Sequence, residues 1–576
     1  MDTFSGVTSS HVFPRLFTFP TVVIFPPLVL SLIYRFALWA LTPRALPGIP
    51  HYPVRPFGDI GRIIKHVKET GFRTTWFNVV SKELGPIAQV MLGPWNKSIV
   101  LSDIQEIEDI LLRRAKEFDR SDDMVNRFHG FLPHGQIALK TDAEFKVHRR
   151  FLTPAMTQKY LSAMTPGMSW NARELYRFWD SKRGYLNNEA FDPTNDFELS
   201  ITDTLSELTF GQSFGLIAEQ RTYAGEKAAE LKAKGVKIAP ADIVGPSSEL
   251  HESNNMLLKY AGLTINSLTP RLTHFLHSIR PSYRHAKSYV WKFLESKITE
   301  ARVKAQTASV EDANCVVDLI AGLEKQDGLK DVKMPMEEFT DELFTYMIGG
   351  TETTAVALRW VVKLLAAHPD VQRRLHDELI SAGIPSALDE DAPLTTFADV
   401  SSDKTPYLEA IANEVLRFCK LANITTREAL CDTVILGHPI PKGTTVFFTI
   451  TGTSFSETHR AKEIHASLDP VRSKTSIRRF RYWGDDAEKF VPERWIDAEG
   501  KFDGRAGPNL AFSTGPRGCY GQKLAMLDLK LYLAILGATF FLDKIPKSLD
   551  GWDINEGLTL SPKQSYVVLK RWSEVA

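Results

Sequence analysis

The most extended hydrophobic pattern in the chain repeats at steps of three and four residues. In MEEFTDELFTYMIGGTETTAVALRWVVKLLAAHP, Phe339, Leu343, Met347, Gly350, Thr354, Leu358, Val361 and Leu365 fall on one stripe, and His368 and Pro369 end it. That spacing predicts a long helix over 336–367 with one buried face. The same periodicity predicts helices over 103–117, 155–180, 198–212, 284–305, 370–381, 407–419 and 520–538. Short β-branched runs at Ile87–Met91, Ser98–Leu101, Thr433–Leu436 and Thr444–Thr449 predict strands between them. The expected fold class is mainly α, an α+β helical body with small β-sheets. No fixed-period repeat or low-complexity linker divides it.

The N-terminus follows a different pattern. Leu16–Tyr34 (LFTFPTVVIFPPLVLSLIY) carries no charge, with Arg15 before it and Arg35 after. Nineteen residues at about 1.5 Å each reach roughly 28 Å, enough to cross the hydrocarbon of a bilayer. Pro20, Pro26 and Pro27 predict a kink. A cleaved signal peptide would have a shorter apolar run and a small-x-small end; Phe36, Leu38 and Trp39 look instead like interfacial anchors. Pro43, Pro47, Pro50, Pro53 and Pro56 predict a stiff extended spacer. The expected organisation is a tail over 1–15, one transmembrane helix within an anchor over 16–41, a proline-rich linker over 42–56 and the main body over 57–576. Arg35 and Arg44 against Arg15 lean towards a cytosolic body.

Composition narrows the field. Lys+Arg 69 balances Asp+Glu 69, so nothing suggests nucleic acid, which calls for a basic stripe. With 43% hydrophobic and 24% charged residues, the chain is globular rather than disordered. Cys315, Cys419, Cys431 and Cys519 are too few and scattered for a disulfide framework, and no C-x-x-C pair offers zinc ligands. They fit a reducing compartment, where a cysteine that matters does so chemically.

The chemistry concentrates near the C-terminus. In AFSTGPRGCYGQKLAMLDLKLYLAILGATF, Gly515, Gly518 and Gly521 come every third residue, so the backbone can turn sharply and lie close to a flat ligand. Cys519 is expected at the start of an apolar-periodic helix, whose N-terminal partial charge favours thiolate, a soft metal ligand. A small buried cysteine is the bland alternative, and the phosphate loop G-x-x-x-x-G-K-[ST] is not satisfied. The whole string matches F-x-x-G-x-R-x-C-x-G through Phe512, Gly515, Arg517, Cys519 and Gly521. It resembles the haem-ligand signature of the cytochrome P-450 superfamily, in its membrane-anchored, microsomal and fungal-like form. The resemblance implies the cytochrome P-450 fold, with Cys519 as axial ligand of the iron, Arg517 on a haem propionate and Phe512 beside the cofactor.

Three further segments bear on that resemblance. Gly349 to Thr354 (GGTETT) interrupts the long helix with poor helix formers and one acid, Glu352. A packing notch with a salt-bridged glutamate would explain it. The string also matches the family's [AG]-G-x-[DE]-T-[TS], which implies that the glycines, Gly350 included, open a groove over the iron and that Glu352 and Thr353 relay protons. Glu414 and Arg417 form E-x-x-R, one helical face apart, and Pro492–Trp495 (PERW) lies just upstream of the cysteine. By resemblance Glu414, Arg417 and Arg494 form a buried structural network. At FKVHR, Phe145 stands where the family's W-x-x-x-R has tryptophan; Arg149 and the neighbouring His148 are the implied propionate ligands, with Arg427 as a third. Between Thr453 and Tyr482 lies an apparent basic insertion, 454–481, read as a solvated loop with docking to an acidic redox partner or anionic membrane as a secondary reading.

The resemblance therefore implies a haem b-dependent monooxygenase acting on a lipophilic small molecule: a secondary metabolite such as a polyketide or terpenoid, a steroid or a fatty acid. Pocket residues are expected around 121–137, 246–268, the central helix and Leu421–Thr426. No G-x-G-x-x-G fingerprint follows a strand, so electrons are expected from NADPH through a separate cytochrome reductase, with a b-type cytochrome as a second possible donor. A single-pass protein of the endoplasmic reticulum membrane with a cytosol-facing body would suit such a partner. Two alternatives stay open: a haem-thiolate enzyme of rearrangement or dehydration, and a non-enzymatic haem sensor or carrier.

Overall fold

Strong 3.6-residue periodicity becomes helix nearly where it is expected. The computed structural model describes residues 19–325, 333–419, 421–422, 424–449, 483–484 and 486–575. The first helices are α1 (Phe19–Leu41), α2 (Ile60–Thr70), α3 (Thr75–Leu84), α4 (Ile104–Leu112), α5 (Asp122–His129) and α6 (Ala143–Leu152). Then come α7 (Gln158–Tyr185), α8 (Thr194–Phe210), α9 (Leu216–Ala233), α10 (Glu249–Ile265), α11 (Pro270–Ser278) and α12 (Pro281–Lys304). The C-terminal half adds α13 (Val316–Leu323), α14 (Met336–Ala367), α15 (Pro369–Ser381), α16 (Pro406–Cys419) and α17 (Gln522–Thr539). α9 lacks a strong apolar stripe. Its Ala, Glu and Lys residues favour helix on their own, and it buries Leu216, Ile217, Gln220, Ala224 and Ala228.

α14 is the axis of the body. Its 32 residues span roughly 48 Å, and it ends where His368 turns extended (ψ 76) before Pro369. α8 lies along it, close enough that a Cβ on Gly350 would meet Leu205 Cδ1 at 2.7 Å. α7 and α17 complete the central bundle at the buried Tyr532. Its hydroxyl meets Ser200 Oγ (2.7 Å) and Thr204 Oγ1 (3.1 Å), and its carbonyl accepts from Tyr176 Oη at 2.9 Å.

The strands form one five-stranded sheet in the order β1-β2-β7-β4-β3, from β1 (Ile87–Val90), β2 (Ser98–Leu101), β3 (Phe118–Asp119), β4 (Ile424–Ala429) and β7 (Thr445–Thr449). β2 and β7 run parallel, and the other pairs are antiparallel. Three two-stranded sheets join β5 (Thr433–Ile435) to β6 (His438–Ile440), β8 (Phe540–Leu542) to β11 (Leu569–Arg571) and β9 (Ile554–Glu556) to β10 (Leu560–Pro562). β4 was not visible in the apolar pattern: ITTREA is held by ladders on both sides rather than by side-chain hydrophobicity.

Two N-terminal expectations change. Among the described residues no helix is long and apolar enough to cross a membrane, so the predicted transmembrane helix is not shown. The first three residues of the predicted span lie outside the described residues; α1 continues past Arg35 to Leu41 and stays helical through Pro26 and Pro27. The proline-rich stretch is extended, but it is not a free spacer. The Gln89 side chain accepts from Leu46 N (2.6 Å) and donates to Arg44 O (3.1 Å), and Leu46 and Ile49 are buried in the core under the sheet. The basic segment 454–481 lies outside the described residues.

Candidate functional site

The cysteine sits in a loop closed by its own backbone. Cys519 N donates to Phe512 O at 2.8 Å and Gly518 N to Gly515 O at 2.9 Å. Gly515 is required for two reasons. Its φ is +74°, and a Cβ there would lie 1.9 Å from the carbonyl oxygen of Leu111 in α4. The loop is thus pressed against α4 rather than loosened for a ligand at this glycine. α17 begins only at Gln522, with Gly521 as its N-cap. Cys519 therefore lies outside the first turn, where the helix field falls off. Contrary to the sequence expectation, burial pushes its thiol pKa up, although the Gly521 N–H and Arg149 pull the other way. The residue is nonetheless exposed by accessible area. A side chain that is accessible yet densely surrounded is one that lines a cleft.

Arginines gather beside this loop from four segments. Arg517 donates Nη2 to the carbonyls of Leu139 (2.7 Å) and Gln136 (3.2 Å). Arg149 Nη2 reaches Gly518 O at 3.2 Å, and Arg427 Nη1 reaches Thr426 O at 2.8 Å. The Phe145 ring underlies two of them, 3.9 Å from the Arg517 guanidinium carbon and 5.1 Å from that of Arg149. The fourth, Arg120, escaped sequence reasoning. Burial and its neighbours Arg517 and Arg427 hold its pKa well below the usual value, with Asp119 opposing. Burial likewise brings Arg427 and Arg517 down to about 10. All remain cations at neutral pH. Arg120 Nε, Arg149 Nε, Arg517 Nε and Arg517 Nη1 are buried with no hydrogen-bond partner among the described residues. Buried unpartnered donors are costly, and four together on clustered cations call for an anion.

His148 is placed differently from expectation. It is fully buried, with Nδ1 on Glu342 (2.8 Å) and Nε2 on Glu338 (3.0 Å), so neither ring nitrogen is left for a propionate. Burial disfavours the imidazolium, but the two carboxylates more than offset this and raise its pKa to about 9. His148 is a cation held by α14.

On α14 the GGTETT string divides by face. A Cβ on Gly349 would meet nothing within 4 Å, whereas Gly350 packs on Leu205 and opens no groove. Thr353 Oγ1 donates to Gly349 O at 2.6 Å. Glu352 Oε1 accepts from Thr559 Oγ1 at 2.9 Å, and its Oε2 is buried without a partner among the described residues. Burial raises its pKa against the opposing pull of Thr559 and Arg359. Burial thus makes Glu352 hold its proton more tightly than an ordinary glutamate does.

The structure joins Glu414, Arg417 and Arg494. Glu414, with no exposed side-chain surface, accepts Arg417 Nε and Nη2 (both 2.7 Å) and Arg494 Nε (3.1 Å). Trp495 Nε1 (2.9 Å) and Val491 N (2.8 Å) complete its shell, two donors that the E-x-x-R pattern does not reveal. The arginines also donate to the carbonyls of Ala487, Lys489 and Asp486, which pins the chain upstream of the cysteine loop.

A soft ligand beside buried, unpartnered cations is what a haem requires for its iron and two propionates, and the residues present fit it. The architecture and this pairing define a haem-thiolate protein. The chain belongs to the cytochrome P450 family, whose model (Cytochrome P450) matches residues 56–459 and 475–569. It is similar, at 28% identity over 561 residues (94% of this chain and 96% of the relative), to the cytochrome P450 monooxygenase GME11363 of Pestalotiopsis microspora. It is also similar to the cytochrome P450 monooxygenase TRI13 of Fusarium sporotrichioides, at 27% over 597 residues (94% and 98%). A third relative, the cytochrome P450 monooxygenase xilC of Penicillium crustosum, is 27% identical over 570 residues (95% and 96%). The enzyme class is accordingly a cytochrome P450 monooxygenase.

The His148 pairing has a pH signature. Its pKa in the fold, about 9, lies above the ordinary 6.5, so the pairing stabilises fully below 6.5 and is lost as pH rises through 9. The size is on the order of 3 kcal/mol. Chemical unfolding of wild type and His148→Gln should show a stability gap that narrows between about pH 6 and about pH 9.5. A gap independent of pH would mean that His148 is not the charged partner.

Proposed function

We propose that this enzyme oxidises a lipophilic small molecule, of polyketide, terpenoid, steroid or fatty-acid type, with dioxygen and with electrons from NADPH through a separate reductase. The observation that carries the reading is Cys519 beside arginines whose buried donors lack partners. Haem, when bound, supplies dioxygen activation, with one oxygen atom going to substrate and the other to water. Cys519 would hold the iron: burial raises the pKa of its thiol, and the ligating form would be the thiolate. Arg120, Arg149, Arg427 and Arg517 present N–H groups to the propionates. Glu414, Arg417 and Arg494 hold the approach to the cysteine loop.

Glu352 and Thr353 move protons. The Thr353 hydroxyl donates to Gly349 O yet keeps lone pairs that can accept from a water. Glu352 Oε2 is available to a second water, and the acid's raised pKa lets it both hold and release a proton. Apolar and aromatic residues, among them Phe131, Tyr260, Trp291 and Phe344, line a cavity of about 10 Å³ among α10, α11, α12 and α14, room for about one water.

Membrane attachment at the endoplasmic reticulum, with the body on the cytosolic side, is supported by exposed apolar side chains at two places. α1 exposes Leu28, Leu30, Leu32, Ile33, Phe36 and Trp39, and α11 with its flank exposes Leu272, Phe275, Leu276 and Ile279. Flotation of the chain lacking residues 1–41 with microsomal lipid vesicles should show much reduced binding and an unchanged haem spectrum. Undiminished flotation would assign attachment to another surface, α11 first.

Ligation by Cys519 predicts that Cys519→Ser abolishes the red-shifted Soret band of the reduced carbon-monoxide complex, because a neutral hydroxyl cannot replace a thiolate donor. A variant that keeps the band removes Cys519 from this role.

The proton route predicts that Thr353→Ala takes up haem and binds substrate nearly as wild type does. NADPH should still be consumed, but product formed per NADPH should drop by about tenfold or more as electrons leave in hydrogen peroxide. Unchanged coupling in both Thr353→Ala and Glu352→Gln would leave the string as a packing notch.

A further inference from the structure

The segment 134–139 is a strap laid across the start of α14. His134 N donates to Asp341 Oδ2 at 2.9 Å, and Gln136 donates its backbone N–H and its side-chain Nε2 (2.9 Å) to Glu342. Gly135 permits this approach, since a Cβ there would lie 2.6 Å from Thr345 Oγ1. The other edge of the same strap faces the cysteine loop. Arg517 Nη2 rests on the carbonyls of Gln136 and Leu139, which turns its remaining Nε and Nη1 into the buried space where they lack partners.

Glu342 thus stands two contacts away from Arg517. It is fully buried, and it also takes the Nδ1 of His148, whose sequence neighbour Arg149 reaches the same loop at Gly518 O. Glu338 holds the other ring nitrogen, so a protonated His148 between two carboxylates leaves this group with one net negative charge. The arginines face Asp119, with Asp142 also acting on Arg517.

Resting on the haem reading above, we infer that Glu342 is a positioning residue for the cofactor: through Gln136 and Leu139 it aims the free donors of Arg517 at a propionate, and His148 locks it in place. It touches neither haem nor substrate. Residues of this kind typically change metal or cofactor affinity by about 10–100-fold when replaced.

The test is the rate of haem transfer from the ferric holoenzyme to excess apomyoglobin, with the unfolding midpoint of each protein measured in parallel. Glu342→Gln keeps the shape but loses the charge and the hold on the His148 proton; transfer should be about tenfold faster or more. Arg517→Ala should speed transfer too. The double variant Glu342→Gln/Arg517→Ala should be no faster than Arg517→Ala, because the glutamate acts through the arginine. Transfer within twofold of wild type in Glu342→Gln overturns the proposal, as does full additivity in the double variant, the result of a merely structural role. If Glu342→Gln does not fold, Glu342→Asp, which keeps the charge but withdraws it from the strap, is judged by the same criteria. A wild-type chain that takes up no haem overturns the proposed function and this inference with it; one that holds haem while the variants transfer normally overturns this inference alone.

Discussion

Four guanidinium groups enclosed together, with donors that the protein does not satisfy, constrain everything around them. Left alone, such a cluster is unfavourable: burial, joined at Arg120 and Arg517 by repulsion from the other arginines, holds Arg120, Arg427 and Arg517 below their usual pKa, with Asp119 opposing. Ties at one end, with an anion meeting the other, would offset that cost. Three of the four arginines are tied. Arg517 rests on the carbonyls of Gln136 and Leu139, Arg427 on that of Thr426 and Arg149 on that of Gly518. The Phe145 ring beneath Arg149 and Arg517 supplies a surface that neither competes for donors nor repels charge.

Those ties are only as good as the segments carrying them. The cysteine loop is fixed at two points, by Gly515 against the end of α4 and, upstream, by Glu414 with five donors on one buried carboxylate. Removing one partner from such a buried pair typically costs about 3–5 kcal/mol. Two arginines from distant segments converge on the same carboxylate, and their remaining N–H groups hold backbone carbonyls between Trp483 and Lys489.

What could be read from the sequence follows from how local each signal is. α14 runs over the predicted residues because its stripe and the His368–Pro369 stop are both properties of a short window. The pairing of Glu414 with Arg417 is an i, i+3 neighbourhood of one helix and was legible for the same reason. Arg120 was not, since FDRSDD reads as a polar turn and only β3 pairing with β4 carries it into the interior. His148 was drawn to the propionates by its neighbour Arg149, whereas its partners lie 190 and 194 residues away on α14. For Cys519 the error was two residues in the helix start, small for an element boundary but decisive for a field confined to one turn. Prolines foretold an extended linker, but the amide of Gln89 that docks it belongs to another strand.

The GGTETT string shows why a helix can carry residues that weaken it. Steps of 100° separate its positions into three faces. Gly350 and Thr354 point at α8, where Leu205 leaves no room for a side chain at 350. Glu352 points at the turn between β9 and β10, where Thr559 holds one carboxylate oxygen and the other is left without a partner. Gly349 and Thr353, one turn apart, share the face on which a Cβ at 349 would meet open space, joined by the hydroxyl on the Gly349 carbonyl. The two glycines therefore serve opposite needs, close packing at one and clearance at the other. Each weakens the helix by about 1 kcal/mol relative to alanine. Packing along α8, α16 and α17 over the rest of a largely buried 32-residue helix offsets that loss. A short isolated helix could not hold GGTETT in helical form; the long axis of this fold can, and that is where an acid and a hydroxyl can be kept at a set spacing.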